Sequence, residues 1–322
     1  MTRSRNPVIP KRAKKVLSIQ SHVVHGYVGN KAATFPLQTL NWDVDVLNSV
    51  NFSNHTGYGS WKGHSCTGIE IEQLFEGLEG INMHYDAILT GYTHGASALK
   101  SVGSKCIAMK KNQPNIVWLL DPVMGDEGQL YVSKEVIPVY REILSHRLVD
   151  IITPNQFELE LLLNIKITDL NSLRSAVKLL HLEFAVKYLV VSSLTLTAEA
   201  LGLDSSHNGK MYSCISSMDS DKLLFFEIDR YDSYFTGVGD LFSALLLDRL
   251  YKSGDVVDST NQVLSIMSRV LYVTREICVK DLGKEVNAKI GDFKTMKECE
   301  LRIVECADLY AQQDCDYAPF EL

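Results

Sequence analysis

The sequence predicts one α/β domain with a mainly parallel sheet covered by helices on both faces. Two patterns carry that reading: short apolar runs, and amphipathic stretches that alternate with them. No long Gly/Ser-rich linker interrupts residues 16–322, so the alternation is assigned to one domain. Residues 16–21 (VLSIQS) are β-like and end in a polar segment, and 44–50 alternate in part, as a second strand does. Ala87–Thr90 leads into Gly91, 116–120 into Asp121-Pro122 and 150–153 into Pro154; 188–193 (YLVVSS) gives another buried strand. One or two later strands are expected around 223–226. Between them, helical periodicity covers 68–78, 97–111, 157–163, Leu170–Phe184, 240–252 and 261–279. Such sheets bind ligands at the carboxyl ends of their strands, so the polar residues just after each apolar run are the functional candidates.

Composition narrows the class without naming an activity. With 46% apolar and 22% charged residues in 322, wholesale disorder is excluded. The net charge is −7, but Arg3, Arg5, Lys11, Arg12, Lys14 and Lys15 crowd into the first 15 residues. The remainder carries 26 basic against 39 acidic residues, the wrong balance for a surface that grips nucleic-acid phosphates. No apolar run approaches the length of about 18 needed to cross a bilayer, so no membrane role is expected. The start is basic, contains Pro7 and Pro10 and has no hydrophobic stretch before Val16, unlike a secretory signal. The same prolines spoil the amphipathic helix of a mitochondrial presequence, and 1–15 is read as a mobile tail. Seven cysteines, an odd number with no C-x-x-C spacing, suit reduced thiols in the cytoplasm, with the nucleus as an alternative. Cys299 and Cys306 are read as two small apolar side chains on one face of a predicted helix. There is no H-E-x-x-H or other zinc spacing.

Three strand-end motifs carry chemistry. Thr236-Gly237-Val238-Gly239-Asp240 precedes an apolar helix start. Two glycines there let the backbone turn tightly and present bare N–H groups, and the helix terminus adds about half a positive charge, a setting for a phosphoryl group. Asp240 has two readings: an N-cap that satisfies orphan amides, or a general base beside the phosphate. The motif is neither a P-loop, since no G-x-x-x-x-G-K-[ST] occurs, nor a dinucleotide fingerprint, since the third glycine is absent. Asp121-Pro122-Val123-Met124-Gly125-Asp126 offers two carboxylates, enough for Mg²⁺ near nucleotide phosphates or simply a Pro-Gly turn with solvated acids. In Thr153-Pro154-Asn155-Gln156-Phe157-Glu158, Thr153 or Asn155 can cap a helix with Glu158 in its first turn. Glu158 could equally orient metal-bound water, and Asn155 donate to phosphate oxygens.

Taken in order with Ser18–Val23, Gly26-Tyr27-Val28-Gly29-Asn30, Ser53-Asn54-His55-Thr56-Gly57-Tyr58 and Leu89-Thr90-Gly91-Tyr92, these motifs make the chain resemble the pyridoxal kinases of the ribokinase-like superfamily. The resemblance runs from about residue 16 to 252 and more weakly to the end. It implies ATP-dependent phosphorylation of the 5′-hydroxymethyl of pyridoxal, pyridoxine and pyridoxamine. It implies Asp240 as base, with the amides of Gly237 and Gly239 holding the phosphoryl group. Ser21 and Thr56 would hydrogen-bond the substrate, and His55 and Tyr92 would pack around its ring. ATP would meet Asp121, Tyr131, Asn155, Ser192, Tyr231, Asp232, Ser233 and Val238. Asp121, Asp126, Thr153 and Glu158 would organise Mg²⁺ and a monovalent cation, normally potassium. A homodimer is implied by the resemblance alone. The chain departs from the family pattern at Val238, where Thr is common, at Ser192-Ser193, where a threonine is often found, and in a 125–131 loop shorter than in animal relatives. A hydroxymethylpyrimidine kinase and a non-catalytic vitamer-binding protein are the alternatives.

Overall fold

In the computed structural model, residues 11–126, 128–231, 233–285 and 287–322 are described. The chain runs β1 (Lys14–Val23), α1 (Asn30–Thr39), β2 (Trp42–Phe52), β3 (Gly63–Ser65), α2 (Gly68–Gly80), β4 (Ala87–Thr90), α3 (Ala96–Asn112) and β5 (Val117–Leu120). A small hairpin, β6 (Gly125–Asp126) and β7 (Gln129–Leu130), leads to α4 (Val136–Ser145), β8 (Ile151–Ile152), α5 (Gln156–Leu163), α6 (Leu170–Phe184) and β9 (Tyr188–Leu194). Then follow β10 (Met211–Ser217), β11 (Leu223–Ile228), α7 (Val238–Ser253), α8 (Val256–Leu282), α9 (Phe293–Glu298) and β12 (Phe320–Glu321).

The main sheet has the order β12-β11-β10-β9-β8-β5-β4-β1-β2-β3. From β9 across to β2 every neighbouring pair is parallel; β3 and β10 to β12 add antiparallel edges. Successive side chains of a strand face opposite ways, and the core divides accordingly. Leu17, Ile19, Ile88, Trp118, Leu120 and Ile152 pack with Phe75, Leu99, Leu159 and Leu173 of α2, α3, α5 and α6. Val16, Ala87, Leu89, Leu119 and Ile151 pack with Leu37, Leu245 and Val263 of α1, α7 and α8. Strand β1 pairs with β2 on one side and β4 on the other. The chain winds outward in both directions from it, so a switch point opens at the carboxyl ends of β1 and β4.

The expected sheet is therefore present, with differences of local cause. Strand β1 begins two residues inside the expected tail: the Lys15 N–H donates to Asp86 Oδ2 at 2.8 Å and Lys14 Nζ to Asp86 Oδ1 at 2.8 Å. The rest of the tail reading, with Arg3 and Arg5, falls largely on residues 1–10, outside the described residues. Helices α1 and α4 had no counterpart in the sequence reading because each carries a proline, Pro36 inside α1 and Pro138 in the first turn of α4. Cys299 and Cys306 do not share a helix. Helix α9 stops at Glu298, Cys299 caps it, and Cys306 packs in the main core instead.

Candidate active site

The motif at 236–240 forms the start of α7, and its glycines are there for contact reasons. Gly237 is the N-cap, at φ 77°, and a Cβ on it would lie 1.9 Å from the Tyr27 carbonyl oxygen. Gly29, at φ 53°, would place a Cβ 2.1 Å from the Ser21 carbonyl oxygen. The two glycine turns thus let the segment after β1 press against the start of α7. Asp240 is not the N-cap but lies in the first turn of α7, with the Gly29 amide beside its carboxylate. The capping reading of Asp240 is corrected by the helix start itself, where Gly237 is the N-cap and no side chain caps. Burial raises the Asp240 carboxyl above the usual carboxylate range, against the pull of the Gly29 amide.

Asp121 follows β5 and lies beneath the same helix turn. A Cβ on Gly239 would stand 3.7 Å from Asp121 Oδ2. Ser243 Oγ donates to Asp121 Oδ2 at 3.2 Å and meets Thr153 Oγ1 at 2.9 Å, joining two strand ends and α7. Burial, then the charges of Glu158 and Asp240, push the Asp121 carboxyl well above its ordinary value.

Asn155 and Glu158 form a reciprocal cap on α5. Asn155 Oδ1 accepts the Glu158 N–H at 2.9 Å, and Glu158 Oε2 accepts the Asn155 N–H at 3.0 Å. Glu158 Oε1 also accepts the N–H groups of Met124 at 2.8 Å and Gly125 at 3.4 Å, while Asn155 Nδ2 donates to the Gly125 carbonyl at 2.8 Å. Capping and site-building are therefore one arrangement, which fixes the Asp121–Asp126 turn to α5. Burial pushes the Glu158 carboxyl up to about 8 in spite of the three amides.

Ser21, His55, Thr56 and Tyr92 line a cavity of about 400 Å³ together with Asp121, Asp126, Thr153, Asn155, Glu158 and the whole 237–240 turn. Ser21, His55, Thr56 and Tyr92 share this cavity with Val23, Val28 and Phe52, which give it apolar walls. His55 Nδ1 accepts the Gly57 N–H at 3.1 Å, and burial lowers its pKa to about 4, so the ring is a neutral wall at physiological pH. A second cavity of about 790 Å³ adjoins the first, sharing Asp126, Tyr131, Asn155, Ser192, Val238 and Gly239, and contains Tyr231 and Ser233. Asp232 is outside the described residues. The sequence carries no signal for Ser243, although it sits one helical turn beyond Asp240, nor for Tyr234 and Ile290, which line both cavities. No spacing rule would bring Ile290 to the site.

A small cavity with apolar walls, a second cavity beside it, and a buried acid next to the Val238-Gly239 backbone that both cavities share define a small-molecule kinase, here on a ribokinase-like sheet. Over residues 49–277 the chain matches the phosphomethylpyrimidine kinase family. It is 44% identical over 308 residues to a putative pyridoxal kinase of Saccharomyces cerevisiae, covering 92% of this chain and 95% of that protein. It is 38% identical over 304 residues to the pyridoxal kinase of Homo sapiens, covering 90% and 93%. The pyridoxal kinase of Leishmania donovani in complex with ADP and pyridoxine superposes with a TM-score of 0.82 at 31% identity, covering 96% of this chain and 99% of that one. The chain belongs to the pyridoxal kinase family and is a phosphotransferase.

Proposed function

We propose that the chain transfers the γ-phosphoryl group of ATP to the 5′-hydroxymethyl of pyridoxal, pyridoxine and pyridoxamine, with Asp240 as general base. The observation that carries this reading is Asp240 buried in the smaller cavity with the Gly29 amide beside it, next to Val238 and Gly239, which line both cavities. The vitamer lies in the smaller cavity, bonded by Ser21 and Thr56 and walled by His55 and Tyr92; its hydroxymethyl points to Asp240. Asp240 takes the hydroxyl proton as the oxygen bonds to the γ-phosphorus and the bond to the bridging β-γ oxygen breaks, leaving ADP. The amides of Gly237 and Gly239 donate to the phosphoryl oxygens. Val238 brings no hydroxyl, so this anion hole is made of backbone alone. Tyr131, Asn155, Ser192, Tyr231, Ser233 and Val238 face the nucleotide.

The donor set fits Mg²⁺. Buried carboxyls in reach of one another's charge, raised above their ordinary range, form a place where a cation relieves repulsion. Among the described residues no three His, Cys, Asp or Glu side chains form a closed cage. That agrees with an ion held by one or two carboxylates plus phosphates and water. Asp121 and Asp126 would hold it, while Glu158, whose oxygens already accept three amides, would act through water; Thr153 completes the polar wall. Bound with ATP, the ion neutralises charge on the β- and γ-phosphates. A monovalent cation, potassium, a homodimeric assembly and a cytoplasmic setting belong to the same proposal, the last supported by seven free thiols. The test is product analysis: pyridoxal with ATP should yield the 5′-phosphate and ADP in equal amounts. ATP hydrolysis without a phosphorylated vitamer would overturn the reading.

A further inference from the structure

Glu300 lies far along the chain, two residues past α9, in a segment to which the sequence assigned no role. Its side chain is buried, and each of its oxygens is directed at a different part of the site. Oε2 accepts the Tyr27 N–H at 3.0 Å and the Thr236 hydroxyl at 3.1 Å; Oε1 accepts the Tyr58 hydroxyl at 2.7 Å. Tyr27 belongs to the turn that ends in Gly29, whose amide lies beside Asp240, and its carbonyl packs against Gly237 at the start of α7. Thr236 precedes Gly237. Tyr58 closes the short helical turn that carries Thr56. One carboxylate therefore ties together the turn behind the base, the start of the anion hole and the lip of the vitamer cavity. The approach is close: a Cβ on Gly26 would sit 2.4 Å from Glu300 Oε1. The same segment reinforces the lip, because the Gly291 N–H donates to the Gly57 carbonyl at 2.7 Å and Met296 packs with Tyr58. Burial and the neighbouring carboxylate hold the Tyr58 hydroxyl in its protonated, donating form.

We infer that Glu300 is a positioning residue that couples closure of the vitamer lip to the alignment of Asp240 and the anion hole. A buried carboxylate with three donors is costly to leave partly paired, so the three segments are held in one register or lost together. The groups on the nucleotide side, Tyr131, Asn155 and Ser192, make none of these bonds. The inference rests on the proposed role of Asp240.

The test is steady-state kinetics with vitamer and ATP varied separately, beside direct nucleotide binding and thermal melting, on Glu300→Ala, Glu300→Gln, Tyr58→Phe and Thr236→Val. Glu300→Ala is expected to lower kcat roughly 10- to 100-fold, as small misplacements of reacting groups do, and to raise the vitamer KM severalfold while nucleotide affinity stays at the parent value. Tyr58→Phe should move mainly the vitamer KM and Thr236→Val mainly kcat. Where Glu300→Ala does not fold, Glu300→Gln decides: it should raise the vitamer KM, and adding Tyr58→Phe should change it little further. A parent-like Glu300→Gln, or losses in nucleotide affinity, kcat and melting temperature that fall together, would overturn the inference. Failure of the base assignment would show separately, as an Asp240→Asn enzyme with parent activity.

Discussion

Replacing Asp240 by Asn tests the chemistry while disturbing the fold least. The amide oxygen can still face the Gly29 amide, and Asn is nearly isosteric, so the first turn of α7 and the Gly237 contact with Tyr27 are retained. What is removed is the capacity to take a proton from the vitamer hydroxyl. A general base contributes roughly 10²- to 10⁴-fold, which corresponds to about 3–5 kcal/mol of transition-state stabilisation. The loss should fall on kcat, because the walls of both cavities stay in place. A lactate dehydrogenase–pyruvate kinase coupled assay reads ADP formation, and calorimetry with a non-hydrolysable ATP analogue reads binding. The expected result is a kcat lowered within that range with nucleotide affinity unchanged. Activity within threefold of the parent would refute the assignment of the base.

Further outcomes follow from the same geometry. Gly237→Ala should abolish measurable turnover and lower the melting temperature: a left-handed residue with a Cβ costs about 1–2 kcal/mol before the contact with the Tyr27 carbonyl is counted; parent-like turnover would show that this contact is not needed. Glu158, ordinarily near 4.5 and pushed up to about 8 in the fold, is held neutral there while the unfolded chain ionises. It therefore contributes stability below about pH 4.5 that is lost as pH rises through about 8. Without nucleotide and metal, Glu158→Gln should lose less melting temperature than the parent between pH 5 and pH 9; parallel curves would contradict the shift. Deleting residues 2–10 should leave kcat/KM within twofold, whereas a deletion reaching Lys15 should destabilise the protein through lost bonds to Asp86; equal melting temperatures for the two would count against the β1 boundary. Removing potassium at fixed Mg²⁺ and ATP should lower the rate several-fold; an unchanged rate would remove the monovalent cation from the account.

Much of the sheet was legible because its central strands are buried on both faces and read as uninterrupted apolar runs ended by Gly, Pro or Asp. Ala87–Thr90 and Leu170–Phe184 have the predicted bounds, and β5 and β9 differ by a single residue. Elements whose signal is local but contradictory were lost: α1 and α4 contain prolines, and of the one or two late strands only β11 was bounded, β10 (MYSCISS) being rich in small polar residues. Asp121 and the 153–158 motif were legible because each follows a strand, and the 237–240 turn because two glycines precede an apolar helix start. The reason for the Gly26–Asn30 motif was not, since it depends on Gly29 meeting Ser21 and Asp240, residues that meet only in the fold. Asp240 was ambiguous for the same reason: an Asp at a helix start looks like a cap until its partner is seen. Glu300 was invisible, because a single Glu among charged neighbours carries no pattern.

Base, amides and the two adjoining cavities are proposed to act together on a B6 vitamer. Competition on the purified protein tests it most directly, with pyridoxal and hydroxymethylpyrimidine offered together at limiting ATP and both phosphorylated products measured. Pyridoxal 5′-phosphate should form at the greater kcat/KM, and Asp240→Asn should depress its formation at least about a hundredfold. Faster phosphorylation of the pyrimidine, or vitamer phosphorylation that survives the substitution, would contradict it.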